Sequence, residues 1–394
     1  MPMFAPFLGL RFPTELLEES VAPPYDVLSA NEVATLRASS PSNVTWIDVP
    51  QVNDGPNPYE IAANKMAEWL SAGVLVKDDE PSFTIYRMTF TDETGVVRTI
   101  SGVIGALEVV EDQAGGVLPH ERTTPKASTD RLDLTIATQA NLSPSWGLSR
   151  ANGLSDALSA PGEVLGRLTI DGVTHTVERV SDQKRIDEIQ RLVESADVLI
   201  ADGHHRYGVA RQFRKYAQDS EPQIADQAAT TMVFVNEMSP EQLAVAAIHR
   251  LYTDVDINAL RDTLLQSYNI SAEAPADEHV LQLMADNSAI ALVSGKSNVE
   301  LLVPHPDADL GDRDLDGARL ETALKSISHS VNYQHGVSNV VSAVSSGQAS
   351  AGILIRPVPF EEIIRTAERG DLMPPKSTFF TPKLLTGLVI RRMG

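Results

Sequence analysis

Hydrophobic and polar positions along this chain follow two periods that trade places many times, so short strands and helices are predicted in alternation. Helical spacing places Ile61, Met66, Trp69 and Leu70 on one face of a helix from Tyr59 to Ala72, with Gly73 ending it. Phe83 to Phe90 and Val96 to Ser101 read as a hairpin around Asp92-Glu93-Thr94-Gly95, and Val103 to Val110 reads as a further strand. Helices are expected near Ser128 to Ala140 and Gln183 to Ser195, with a hairpin between them that turns at Asp171-Gly172. Val198-Leu199-Ile200 predicts a buried strand. Val209, Ala210, Phe213 and Ala217 then predict a helix, and Thr230 to Val235 another apolar strand. Beyond Tyr252 the pattern gives helices over Ile257 to Ser267 and His279 to Ala285, and strand Ile290 to Val293 paired with Val299 to Val303.

This mixture predicts an α/β or α+β protein with mixed sheets covered by helices. At 394 residues the chain exceeds what one core usually supports, so two or three domains are expected. The pattern divides into an N-terminal α/β segment over 1–110, a middle block over 111–252 and a C-terminal α/β block over 253–394. Fifty-three acidic against 32 basic residues leave a formal charge of −21, which repels polyanions, so no nucleic-acid partner is expected. The chain has no cysteine, which excludes disulfides, thiolate nucleophiles and cysteine-ligated metals. No apolar run approaches a membrane span, and Met1 to Pro13 lacks the basic lead of a secretory signal. A cytoplasmic location is the expectation.

Candidate chemistry concentrates in two places. In Ala201-Asp202-Gly203-His204-His205-Arg206-Tyr207 an apolar strand passes through glycine into a helix. The first N–H groups of a helix lack intrahelical partners and carry partial positive charge, so the corner suits an anion. Gly203 permits close backbone approach, Arg206 brings a planar fork, and His204 and His205 bring imidazoles that donate hydrogen bonds or move protons. Asp202 fits as a helix cap and also as a member of the phosphate site. The second place is Leu118-Pro119-His120-Glu121-Arg122-Thr123-Thr124-Pro125-Lys126 with Asp130-Arg131-Leu132. Glu121 beside His120 in a proline-bounded loop suits a general base, and Arg122, Lys126 and Arg131 add cations.

Other positions carry less. Val21 to Val27 is a rigid extended-to-turn passage because Pro23 and Pro24 exclude helix. Asp26 and Asp202 are candidate carboxylates for magnesium. Lys376 and Lys383 near the C-terminus are candidate phosphate contacts. His249 ends an apolar run and reads as a structural histidine. Gly295-Lys296-Ser297 resembles the end of a phosphate loop, but Ile290 stands where that loop needs glycine, so a hairpin turn is expected.

Five ordered stretches resemble the bacterial and archaeal family known as domain of unknown function 1015. They are Ala22-Pro23-Pro24-Tyr25-Asp26-Val27, His120-Glu121-Arg122-Thr123 with Asp130-Arg131-Leu132, Ala201 to Tyr207, His249-Arg250-Leu251, and Met373 to Phe380 through Pro382 to Leu388. Within them, the order His-Glu, Arg-Leu, Asp-Gly-His-His-Arg is similar to the core of free serine kinases, which have a ParB and sulfiredoxin type fold. That resemblance implies Glu121 as the base on a serine hydroxyl, and Gly203, His204, His205 and Arg206 as a nucleotide phosphate cradle. About 70 residues separate Arg131 from Asp202, more than the compact kinases need.

The expected activity is a phosphotransferase or phosphatase interconverting serine and O-phosphoserine, with ADP or ATP as co-substrate and magnesium. Two alternatives are a ParB-like nucleotide switch without amino-acid turnover, and a metal-dependent hydrolase using His204, His205 and Asp202. Adjacent histidines diverge on a helix, which makes them a poor chelating pair.

Overall fold

Alternating apolar residues make Phe83–Thr91 (β1) and Val97–Glu108 (β2) the central pair of a mixed sheet, in antiparallel register with Tyr86 opposite Gly102. The computed structural model describes all residues except 93–94, 112–114, 120–127, 371 and 375. His120, Glu121, Arg122 and Lys126, all expected site residues, lie outside the described residues. Where the pattern suggested a break at Gly102, β2 runs on through it as one strand of 12 residues. The glycine is required by packing. A Cβ there would stand 2.3 Å from Cζ of Phe234, whose ring crosses the strand at this point.

The other strands of this sheet are Val117–Pro119 (β3), Ser145–Ser149 (β4), Glu163–Ile170 (β5), Val173–Val180 (β6), Val198–Asp202 (β7) and Thr230–Glu237 (β8). Their order is β3-β7-β4-β8-β2-β1-β6-β5, with the two-residue strand Phe4–Ala5 beside β2. β3 pairs with β7, and β4 with β8, in parallel; the remaining neighbours are antiparallel. The expected mixed sheet is therefore present. β5 and β6 join at Asp171 and Gly172, both at positive φ, as a two-residue hairpin demands.

Four helices form where periodicity placed them: Pro58–Ser71 (α1), Ser128–Thr138 (α2), Gln183–Glu194 (α3) and His204–Ser220 (α4). Asp182 caps α3 by accepting the Arg185 N–H, and its Ile186, Ile189 and Val193 pack with Phe83, Ile85, Val103, Val198 and Val233 in one core. On α4, Phe213 and Ala217 enter a second cluster with Ile224, Ala228 and Met393.

By its contacts the chain divides into two compact units, Met1–Ala244 with Pro382–Gly394, and Val245–Thr381. The first unit thus draws strands of a single sheet from both the 1–110 and the 111–252 blocks. Residues 382–394 return to it. There Ile390–Arg392 pairs with Gly9–Arg11 and with Ala140–Asn141, and Ala22 and Thr386 exchange hydrogen bonds of 3.2 and 2.8 Å.

The second unit holds a six-stranded sheet with helices. Within it Ile290–Val293 and Asn298–Pro304 pair antiparallel with Ile290 opposite Leu302, and Gly295 at φ 78° makes the turn. The helix beginning at Ile257 stops at Leu264, three residues earlier than its pattern suggests, because Tyr268 leaves it to start a strand. His249 is buried here and its Nδ1 accepts the Ile355 N–H at 3.2 Å, a structural role. Among the described residues no helix is long and apolar enough to cross a membrane.

Candidate functional site

β7 ends at Asp202, Gly203 turns the chain at φ 79° and ψ 31°, and α4 starts at His204. Left-handed backbone is costly for residues with a Cβ, and here a Cβ would also stand 3.0 Å from both Nε of Arg206 and Oγ of Ser145. Glycine is dictated twice. It also brings no side chain to cap the helix, so the first turn of α4 opens without a cap. Ser145 Oγ donates to the Gly203 carbonyl at 3.2 Å and so fixes the turn to β4.

Asp202 does not cap α4. Its Oδ1 lies 3.3 Å from Nζ of Lys383 and its Oδ2 3.5 Å from Nη2 of Arg206. Burial alone would raise its pKa, but Lys383, Arg206 and then His204 outweigh burial and hold it below the usual carboxylate range. Asp202 is thus a carboxylate with a cation on each oxygen.

The Arg206 guanidinium is turned inward rather than out as an open fork. Nη1 donates to the Pro144 carbonyl, Nη2 reaches Asp202, and Nε is buried without a hydrogen-bond partner among the described residues. Burial opposes its charge, but Asp26, Asp202, Tyr25 and Asp48 together keep it firmly protonated. Arg131, from the first turns of α2, forms the neighbouring cation. It donates to the Asp48 carbonyl at 2.5 Å and to Asp130 at 3.0 Å, with its guanidinium carbon 4.1 Å from the centre of the Tyr25 ring. Asp48 is buried, which raises its pKa against the opposing pull of Arg131 and Arg206. Arg131, Arg206, Tyr25 and Asp48 line a cavity of about 50 Å³, room for a few waters and far too little for a nucleotide.

The structure therefore brings together Asp202, Gly203, His204, His205, Arg206 and Arg131, with Asp26 close to Arg206. Lys376 belongs to the second unit, at φ 59°, where its carbonyl accepts from Arg250 at 3.3 Å. Sequence reasoning missed Asp48, Tyr25 and Ser145. The signal for Asp48 was available: a lone carboxylate in Thr45-Trp46-Ile47-Asp48-Val49, inside an apolar run, needs a buried cation.

Magnesium does not fit Asp26 and Asp202 as a resident ion, because both Asp202 oxygens already face cations. Among the described residues no group of three or more His, Asp and Glu side chains is placed to hold a metal, and His204 and His205 make no such site with Asp202.

One further feature joins the two sequence clusters. β3 lies parallel to β7 with Pro119 opposite Ile200, so the C-terminal ends of both strands face the same end of the sheet. The helix that carries Arg131 begins at Ser128. The C-terminal ends of parallel strands are where α/β sheets characteristically bind ligands.

With this geometry in place, the family follows from comparison. The chain belongs to the family described as protein of unknown function, DUF1015, which matches residues 4–318. Among solved structures it is similar to free serine kinase in complex with AMP, at 13% identity and a TM-score of 0.37, covering 72% of this chain and 88% of that chain. It is also similar to a conserved hypothetical protein from Pyrococcus furiosus, at 14% identity and a TM-score of 0.36, covering 71% and 92%. SbnI with a C-terminal truncation from Staphylococcus aureus is similar at 15% identity and a TM-score of 0.38, covering 72% and 85%. No curated protein matches the chain by sequence.

Proposed function

We propose that this protein is a small-molecule phosphotransferase or phosphatase that interconverts serine and O-phosphoserine with a nucleoside phosphate, binding phosphate at the mouth of α4. The observation that carries the reading is the opening of that 17-residue helix by an uncapped, left-handed Gly203 beside His204, His205 and a charged Arg206. Amide dipoles and fixed cations at one corner suit phosphate, and phosphoryl transfer asks a protein mainly for positioning and charge neutralisation. Arg206 acts from behind, its charge fixed by Asp202, Asp26 and Asp48.

In this reading Glu121, next to His120, takes the proton of the serine hydroxyl as its oxygen attacks phosphorus and the bond to the departing nucleotide oxygen breaks. His205 protonates or orients the departing group. Arg122 and Arg131 are the further phosphate-binding cations of this reading. Glu121 and its neighbours enter through the sequence resemblance.

Phosphorus NMR of the protein with magnesium, serine or phosphoserine, and ADP, ATP or pyrophosphate tests the reading. Appearance of phosphoserine, or its loss with nucleotide phosphorylation, is expected, and Glu121→Gln abolishes it while nucleotide still binds. A blank panel with nucleotide bound would replace the enzyme by a nucleotide switch.

A further inference from the structure

The charges around the α4 mouth do not by themselves favour an anion. Arg206 is ringed by Asp26, Asp48 and Asp202, and Arg131 is taken up by Asp48 and Asp130. Three carboxylates within the field of one buried guanidinium leave that corner negative, even with Arg131 counted. The carboxylate nearest the turn, on the residue immediately before Gly203, would repel phosphate.

Lys383 reverses this balance. Its Nζ stands 3.3 Å from Asp202 Oδ1, and its side chain is only 16% exposed. The segment that delivers it is fixed immediately beyond the lysine. Thr386 exchanges backbone hydrogen bonds with Ala22, Leu384 and Leu385 are buried, and the Leu385 N–H points to the Tyr86 hydroxyl at 3.5 Å. Backbone anchored within three residues of the lysine limits where its ammonium can go.

Resting on the phosphate-binding reading above, we propose that Lys383 is the positioning residue that makes the α4 mouth anion-selective, by neutralising Asp202. The C-terminal segment is thereby part of the site. With Lys383 the group of Arg131, Arg206 and Lys383 balances Asp26, Asp48 and Asp202, Asp130 being half exposed and screened by water, and the amide dipoles of α4 tip the corner toward anions. Without it the corner keeps an uncompensated carboxylate at the place a phosphate must approach.

Titration calorimetry of inorganic phosphate and of AMP into the full chain tests this. Lys383→Met is expected to weaken both ligands about tenfold or more, the scale of a lost charged interaction, with Lys383→Arg within about threefold of the native protein. The double variant Asp202→Asn/Lys383→Met should regain most of the lost affinity, because the repelling carboxylate goes with its partner. A lysine that merely tethered the segment would show no such recovery. Should Lys383→Met fail to fold, Asp202→Asn alone must bind phosphate at least as tightly as the native protein. Native affinity in Lys383→Met, absence of recovery in the double variant, or weakened binding in Asp202→Asn overturns the proposal and leaves the phosphate site standing. If the native protein binds neither phosphate nor AMP, the functional reading itself falls.

Discussion

At the scale of single residues, two kinds of site stand out, one strained and one starved of water. Gly203 combines left-handed backbone with side chains of Arg206 and Ser145 that a methyl group would crowd at 3.0 Å. Gly203→Ala is expected to cost about 1–3 kcal/mol of stability and to weaken phosphate binding, since relief of the strain moves the first turn of α4. A denaturation curve with phosphate calorimetry on the same sample checks both. His175 is the second kind. Burial drives its pKa down to about 4, and its Nδ1 shares a 2.6 Å hydrogen bond with the Tyr86 hydroxyl. His249, in the second unit, is also pushed to about 4, by burial and then by His335 and Arg250. Both rings are neutral when folded, whereas unfolded histidine titrates near 6.5. Their stabilisation is complete above pH 6.5 and is lost as pH falls toward 4, by about 1–3 kcal/mol each. Urea midpoints taken from pH 7 to pH 4.5 should fall, and His175→Gln should flatten part of that slope.

At the scale of elements, the test of the fold is how side chains of one strand use gaps in another. Phe234 on β8 fills the space above Gly102 on β2 and meets the rings of Tyr86 and Trp146 edge-on, at 5.7 and 5.4 Å. Gly102→Ala, in ordinary extended backbone, is therefore an overpacking substitution that should cost about 1–3 kcal/mol. Thermal unfolding checks this, and a Gly102→Ala protein as stable as the native one would refute the packing argument. The pattern along the chain located the longer elements in this region, because amphipathic periodicity states which face is buried, but it missed the short strands Val117–Pro119 and Ser145–Ser149, which are too brief to show a period. It misjudged Gly102 because a glycine inside a strand looks the same in sequence whether it turns the chain or admits a ring from a partner 132 residues away.

At the scale of the whole molecule, the C-terminal segment closes the first unit through a buried cation held by neutral oxygens. Arg391 donates to the carbonyls of Thr230 and Gln227, to Thr230 Oγ and to Asn141 Oδ1, and burial lowers its pKa to about 10. Arg391→Met should destabilise the protein by about 2–4 kcal/mol, since two buried carbonyls lose their donor. Limited proteolysis would then cut first within residues 382–394, and cleavage elsewhere would show that this segment is not held as argued. The net charge of −21 works at the same scale. It keeps polyanions away at long range, so any phosphate affinity must be local and fixed by neighbours.

The sequence by itself determined the mixed α/β class, the strand-to-helix corner at residues 198–206 and the chemistry of its side chains, because these depend on period, on glycine and on residue type over short distances. It determined the family as well, through motifs that are local. Tertiary structure alone decided what those side chains face. Asp202 meets Lys383 rather than capping its helix, Arg206 turns inward to Pro144, and Asp48 gathers Arg131 from 83 residues away. Charge pairing in a buried place depends on distance through space and on the loss of water, and neither is written in the spacing of residues along a chain.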